Sequence, residues 1–208
     1  MKLRSLMALA VGALLLVGCV GRDPPKKERY VFRLDRSGAP SAAQVHAAKP
    51  NGVLKVHRIR VSPLYDRKNF VFRTSDTTYQ EDFYREFYAL PGVLIRLATI
   101  DWFEESPLFE RVLTDTGSTG ANWLIEGEAN RLFIDLRGPE GPRVDLQITL
   151  SLIDADDPRL RSALEGTYEE HCRLADSSSE AMAVAWSSCL ASVLSQFEIA
   201  ASGALKAR

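Results

Sequence analysis

The sequence predicts an α/β (α+β) domain in layers, with a mixed, largely antiparallel sheet covered by two main helices. Three observations carry this. Residues 144–153 alternate without fault: Val144, Leu146, Ile148, Leu150 and Leu152 point one way and Asp145, Gln147, Thr149 and Ser151 the other, as in a strand with one buried face. Residues 123–136 precede this strand across the turn Arg137-Gly138-Pro139-Glu140-Gly141-Pro142, so the two form a long hairpin. Ser177 and Glu180 make a capping box ahead of a helix that runs to about residue 202, with Met182, Ala185, Cys189, Val193 and Phe197 along one stripe. That stripe is expected to cover the buried face of the sheet.

At the N-terminus, Lys2 and Arg4 open a basic stretch, residues 6–17 are an unbroken run of twelve apolar or small residues, and no acid occurs before Asp23. This is the pattern of a signal peptide over residues 1–18, and it is shorter than the run of about 20 apolar residues that a membrane-spanning helix needs. The run closes on Leu16-Val17-Gly18-Cys19, which resembles the bacterial lipobox, so Cys19 is expected to carry the acyl anchor after cleavage. Residue 20 is Val and not the Asp that resembles an inner-membrane retention signal, which favours the outer membrane. Residues 19–28 contain Pro24-Pro25 and read as a lipidated tether, leaving residues 29–208 as one folded domain.

Along the domain, residues 30–34 read as a first short strand and residues 37–52, rich in Ala, Ser, Pro and Gly, as a loop with at most a helical turn. Residues 53–61 alternate but slip phase at His57-Arg58, which predicts a strand carrying a bulge. Residues 70–73 are a further strand. Phe83, Tyr84, Phe87 and Tyr88 stand at helical spacing, so residues 80–90 are expected to be helical. Pro91-Gly92 then interrupts before Val93, Leu94, Leu97, Ile100 and Phe103 resume the period, giving one kinked helix or two abutting ones. Residues 109–113 suggest a short strand, 115–120 a turn, and 161–173 a strand extending the hairpin into a meander.

Composition narrows the function classes. Lys+Arg 26 against Asp+Glu 27 gives a net charge of −1, which lacks the basic footprint of a nucleic-acid binder. Cleavage after residue 18 removes Lys2 and Arg4 and no acid, so the mature chain is more acidic still and its membrane attachment should rest on acyl chains. Three scattered His residues, His46, His57 and His171, form no ligand pair, and the Asp154, Asp156 and Asp157 loop lacks the Gly and distal Glu of an EF-hand. No nucleophile elbow or phosphate loop occurs. No catalytic residue, cofactor or metal site is expected, and an enzyme is not expected.

Two constellations remain. Cys172 and Cys189 are the thiols left once Cys19 is acylated, and an oxidising compartment permits them to pair; the alternative is two buried free thiols. Residues 70–88 hold seven aromatics, with Phe83, Tyr84, Phe87 and Tyr88 the candidates for contact with a partner protein or an acyl chain. The alternative is that they pack onto the sheet.

The order of motifs resembles the ABC-type transport auxiliary lipoproteins: the lipobox, the Pro-containing tether, Tyr30-Val31-Phe32-Arg33-Leu34, the stretch 54–73, the 79–88 aromatic run, Trp102-Phe103 to Phe109, and Leu124-Ile125-Glu126-Gly127-Glu128. The resemblance covers most of the mature chain. It implies a lipoprotein component of a paraquat-inducible-type system, working beside an MCE-domain protein and an ABC transporter or permease to move lipid between two membranes. It implies no enzymatic activity, a periplasm-facing position in the cell envelope, and leaves homo-oligomerisation open. Two other roles stay open at this point: a carrier that holds a lipid against the aromatic segment, and a structural envelope lipoprotein without a transport role.

Overall fold

The computed structural model describes residues 26–38, 45, 50–114 and 120–206. The expected signal peptide, Cys19 and most of the tether therefore lie outside the described residues. The described strands are β1 (Glu28–Tyr30), β2 (Val53–Val61), β3 (Asn69–Arg73), β4 (Tyr79–Phe87), β5 (Arg111–Leu113), β6 (Trp123–Asp135), β7 (Arg143–Asp154) and β8 (Ser162–Arg173). Helix α1 (Pro91–Glu104) lies between β4 and β5, and α2 (Ser179–Lys206) ends the chain.

The sheet is organised around β6. Its one edge pairs antiparallel with β7 from Trp123↔Asp154 to Asp135↔Arg143, and β8 continues the meander. Its other edge is shared end to end by two strands, β2 running parallel to residues 123–129 and β3 parallel to Ile134 and Asp135. From β3 the sheet extends through antiparallel β4 to β1, which joins β4 in parallel, while β5 lies beyond β2. The longest ladders are antiparallel, and the mixed sheet with a C-terminal covering helix is the architecture the periodicity predicts.

The alternation in β7 does what its pattern implies: Val144, Leu146, Ile148, Leu150 and Leu152 are at most 1% exposed, against α2. The apolar stripe of α2, Met182, Ala185, Cys189, Val193 and Phe197, is buried as well. By length and composition α2 would suit a membrane span, but here it is a core helix packed on β7 and β8. Its start lies one residue later than the capping box suggests, because Ser178 is the cap: its hydroxyl accepts a 3.1 Å hydrogen bond from Ala181 N–H. Helix α1 opens with Pro91 at its first turn, where the missing N–H costs nothing, and packs over β2 with Leu94, Ile95, Ala98 and Trp102 buried. Val93 and Leu97 are half exposed on its outer flank, so the buried stripe is narrower than the sequence period suggests.

The phase slip in β2 is a bulge between Val56 and Ile59. Arg96 of α1 fills it, donating from Nε to the carbonyls of Val56 and His57 at 2.9 and 3.1 Å. Gly92 makes the α1 crossing close: a Cβ there would meet the Ile59 carbonyl oxygen at 2.6 Å.

Two expectations are corrected. The first strand ends at Tyr30 and does not run over 30–34, because its partner β4 ends at Phe87, the register mate of Tyr30, and leaves residues 31–34 nothing to pair with. The larger correction concerns residues 80–90, which are not helical but form β4. Between Val71↔Glu81 and Asn69↔Glu86 the single residue Phe70 of β3 stands opposite residues 82–85 of β4. This wide bulge sets aromatics in adjacent pairs and so imitates a helical period within an extended strand.

Candidate functional site

The bulge in β4 is built by Asp82, which is buried. Its Oδ1 accepts hydrogen bonds from the backbone N–H groups of Tyr84 and Arg85 at 2.7 and 2.9 Å, and its Oδ2 accepts from Arg85 Nε at 2.6 Å. Asn69 Nδ2 donates to the Asp82 carbonyl at 2.6 Å from the facing strand. A carboxylate folding the chain back on itself two and three residues ahead ejects the residues between, so Phe83 and Tyr84 project outward, 68% and 44% exposed. Their rings meet edge to face at 5.1 Å. Tyr88, 64% exposed, follows just past the end of β4, held by its N–H bond to the Tyr30 carbonyl at 2.8 Å.

The four aromatics proposed from the sequence therefore divide. Phe87 is a core residue, 4.7 Å from the Phe70 ring and 5.9 Å from that of Trp186, whereas Phe83 and Tyr84 form an exposed knuckle on the bulge and Tyr88 stands exposed just past the end of the strand. The chain enters the domain beside this knuckle. Lys27 Nζ lies 5.1 Å from the Phe83 ring centroid, and both Lys27 and Arg29 pair with Glu86, at 3.4 and 2.8 Å. The hydrogen bond from Arg29 holds the Glu86 carboxyl below its ordinary range.

Cys172 of β8 and Cys189 of α2 are joined as a disulfide with Cα atoms 5.7 Å apart. The bridge fastens the last strand to the third turn of the helix that covers it. The Asp154, Asp156 and Asp157 carboxylates are engaged within their loop: Asp154 accepts from the N–H groups of residues 156 and 157, Asp156 from Asn122, and Asp157 pairs with Arg161. His57 bonds Glu126 at 2.6 Å, and His46 lies outside the described residues.

Two features escaped sequence reading. Buried Asp145 and the exposed Glu169 and His171 gather on the meander, their ligand atoms within 4.8 Å of one another. Arg131 reaches both carboxylates, at 3.6 and 2.5 Å, and each His171 ring nitrogen faces one of them at 3.3 and 3.1 Å, while Asp145 Oδ1 is buried without a hydrogen-bond partner. Burial raises the Asp145 carboxyl despite these partners. Nearby, Tyr65, Tyr79 and Phe133 pack ring on ring, and burial followed by the Tyr79 hydrogen bond pushes the Tyr65 hydroxyl up to about 12. The second feature is an open groove of about 1170 Å³ between residues 29–37 and α2, lined by apolar Tyr30, Val31, Leu34 and Val184 together with polar Arg33 and Ser188.

Solved structures identify the architecture. Protein XCC0632 from Xanthomonas campestris, assigned to DUF330, superposes with a TM-score of 0.70 at 13% identity, over 87% of this chain and 97% of that one. The likeness is one of fold. A second structure, described as an uncharacterized protein, gives 0.56 at 12% identity over 86% and 96%. CT253 from Chlamydia trachomatis gives 0.50 at 9% identity over 73% and 96%. The sequence matches no family model and no curated protein. The fold shared with the DUF330 structure thus embraces nearly all of the described domain, and function must be argued from this chain's own residues.

Proposed function

We propose that the protein is a non-catalytic, acyl-anchored lipoprotein of the bacterial cell envelope, facing the periplasm from the outer membrane. In this reading it serves as an auxiliary component of an MCE/ABC-type intermembrane lipid transport system. The observation that carries the reading is the run Leu16-Val17-Gly18-Cys19 behind a short apolar leader, placed a few residues ahead of a compact domain of the DUF330 fold. The disulfide between Cys172 and Cys189 agrees with an oxidising compartment.

The carrier reading finds less support. A carrier using the aromatic segment needs concave apolar walls there, whereas Phe70 and Phe87 are spent in the core and Phe83 and Tyr84 project outward from the bulge; the groove beside α2, which mixes Tyr30, Val31, Leu34 and Val184 with hydroxyls and charges, lies outside that segment. The test is crosslinking in intact envelopes followed by purification of the full chain. Recovery of an MCE-domain protein with ABC or permease subunits is the expected result; a chain recovered without either, together with an unaltered permeability barrier on deletion, contradicts the transport role.

A further inference from the structure

The knuckle carries an inference about how the domain sits. Exposing a phenylalanine at 68% beside two tyrosines forgoes burial that β4 would otherwise gain, and Asp82 with Arg85 and Asn69 holds the bulge in that shape. The composition is that of an interfacial contact, with one apolar ring flanked by two rings whose hydroxyls tolerate the headgroup layer, and with ammonium groups at the margin in Lys26 and Lys27.

The chain's own geometry names the occupant. Seven peptide steps separate Cys19 from Lys26, a reach of at most about 25 Å even when fully extended. Lys27 touches Phe83, so the knuckle is on the side of the domain from which the anchor must depart, and it is the exposed aromatic surface that a bilayer holding Cys19 meets first. The opposite end of the sheet, where β7 and β8 join through residues 155–161, has no such tie to the entry segment.

We infer that Phe83, Tyr84 and Tyr88 form a second membrane contact, resting in the headgroup region of the bilayer that holds the acylated Cys19 and fixing the tilt of the domain above it. This rests on the anchor proposed above. Phe83 supplies the apolar insertion, Tyr84 and Tyr88 sit at the level of the ester groups, and Lys27 meets lipid phosphate when released from Glu86.

The test uses the full chain with Phe83→Trp, reconstituted through its own anchor into liposomes of phosphatidylethanolamine and phosphatidylglycerol, with unsubstituted protein as the baseline for the native tryptophans. The expected result is a blue-shifted added emission, quenched by lipids brominated near the glycerol, with iodide quenching lower on liposomes than in detergent. An indole left open to iodide on liposomes to which the protein is bound overturns the contact while leaving the anchor intact. An indole open on liposomes but shielded in native envelopes overturns it in favour of a protein contact. Failure of the lipidated chain to float with liposomes overturns the anchor, and this inference with it.

Discussion

The carboxylate of Glu198 accepts a 2.9 Å hydrogen bond from the indole N–H of Trp102, with neither residue more than 1% exposed. Its other oxygen accepts from the Ser106 hydroxyl at 2.5 Å, and Arg36 lies over the Trp102 ring at 4.3 Å with its guanidinium 3.4 Å from both carboxylate oxygens. One acid on α2 therefore ties together α1, the turn after it and the entry segment. Glu198→Ala leaves the indole and the hydroxyl without their acceptor and strips Arg36 of its buried counter-charge, leaving it the Trp102 carbonyl and Glu105, and the expected loss is about 3–5 kcal/mol. Urea unfolding reads it directly, and a loss below ~1 kcal/mol would show the network to be ornamental.

The disulfide closes a separation of 17 residues between β8 and α2. Cys172→Ser with Cys189→Ser should destabilise the domain by about 3 kcal/mol, the loop-closure entropy returned to the unfolded chain. Thermal melts with and without reductant should reproduce the same difference in the parent protein, and coincident melts would refute it.

A Cβ on residue 92 would stand 2.6 Å from the Ile59 carbonyl oxygen. Because the obstacle is backbone, Gly92→Ala must lift α1 from the β2 bulge, at a cost of about 1–3 kcal/mol, despite alanine's better helix propensity. A gain in stability would mean that α1 tolerates the shift.

Asp135 accepts a two-pronged hydrogen bond from Arg137, at 2.9 and 2.7 Å, and a third from the Arg137 N–H at 3.0 Å. The arginine holds the carboxyl down to about 2. A lowered folded-state value stabilises the fold above the unfolded carboxyl's range, and that contribution disappears as pH falls from about 4 to 2. Asp135→Asn should flatten this part of the stability profile and lower stability at pH 7; denaturant midpoints taken from pH 7 to 2 measure both effects, and an unchanged acid limb contradicts the assignment.

Legibility followed locality. The alternation of residues 144–153, the phase slip at His57-Arg58 and the stripe from Met182 to Phe197 were readable because period and burial coincide within one element. β4 was not, since its wide bulge spaces Phe83, Tyr84, Phe87 and Tyr88 as a helix would; the available signal was Asp82, able to bond the N–H groups two and three residues on. The shared edge of β6 and the pairing of Trp102 with Glu198, 96 residues apart, leave no periodic trace. Of the four aromatics, Phe83, Tyr84 and Tyr88 are exposed and Phe87 is in the core, a division the sequence period did not foretell.

Metabolic labelling with a palmitate analogue tests the whole account most directly. Wild-type mature protein should carry the label and float with membranes, and Cys19→Ser should be unlabelled and leave the membrane fraction. Unlabelled wild-type protein, or a Cys19→Ser form that remains with membranes as wild type does, would contradict it.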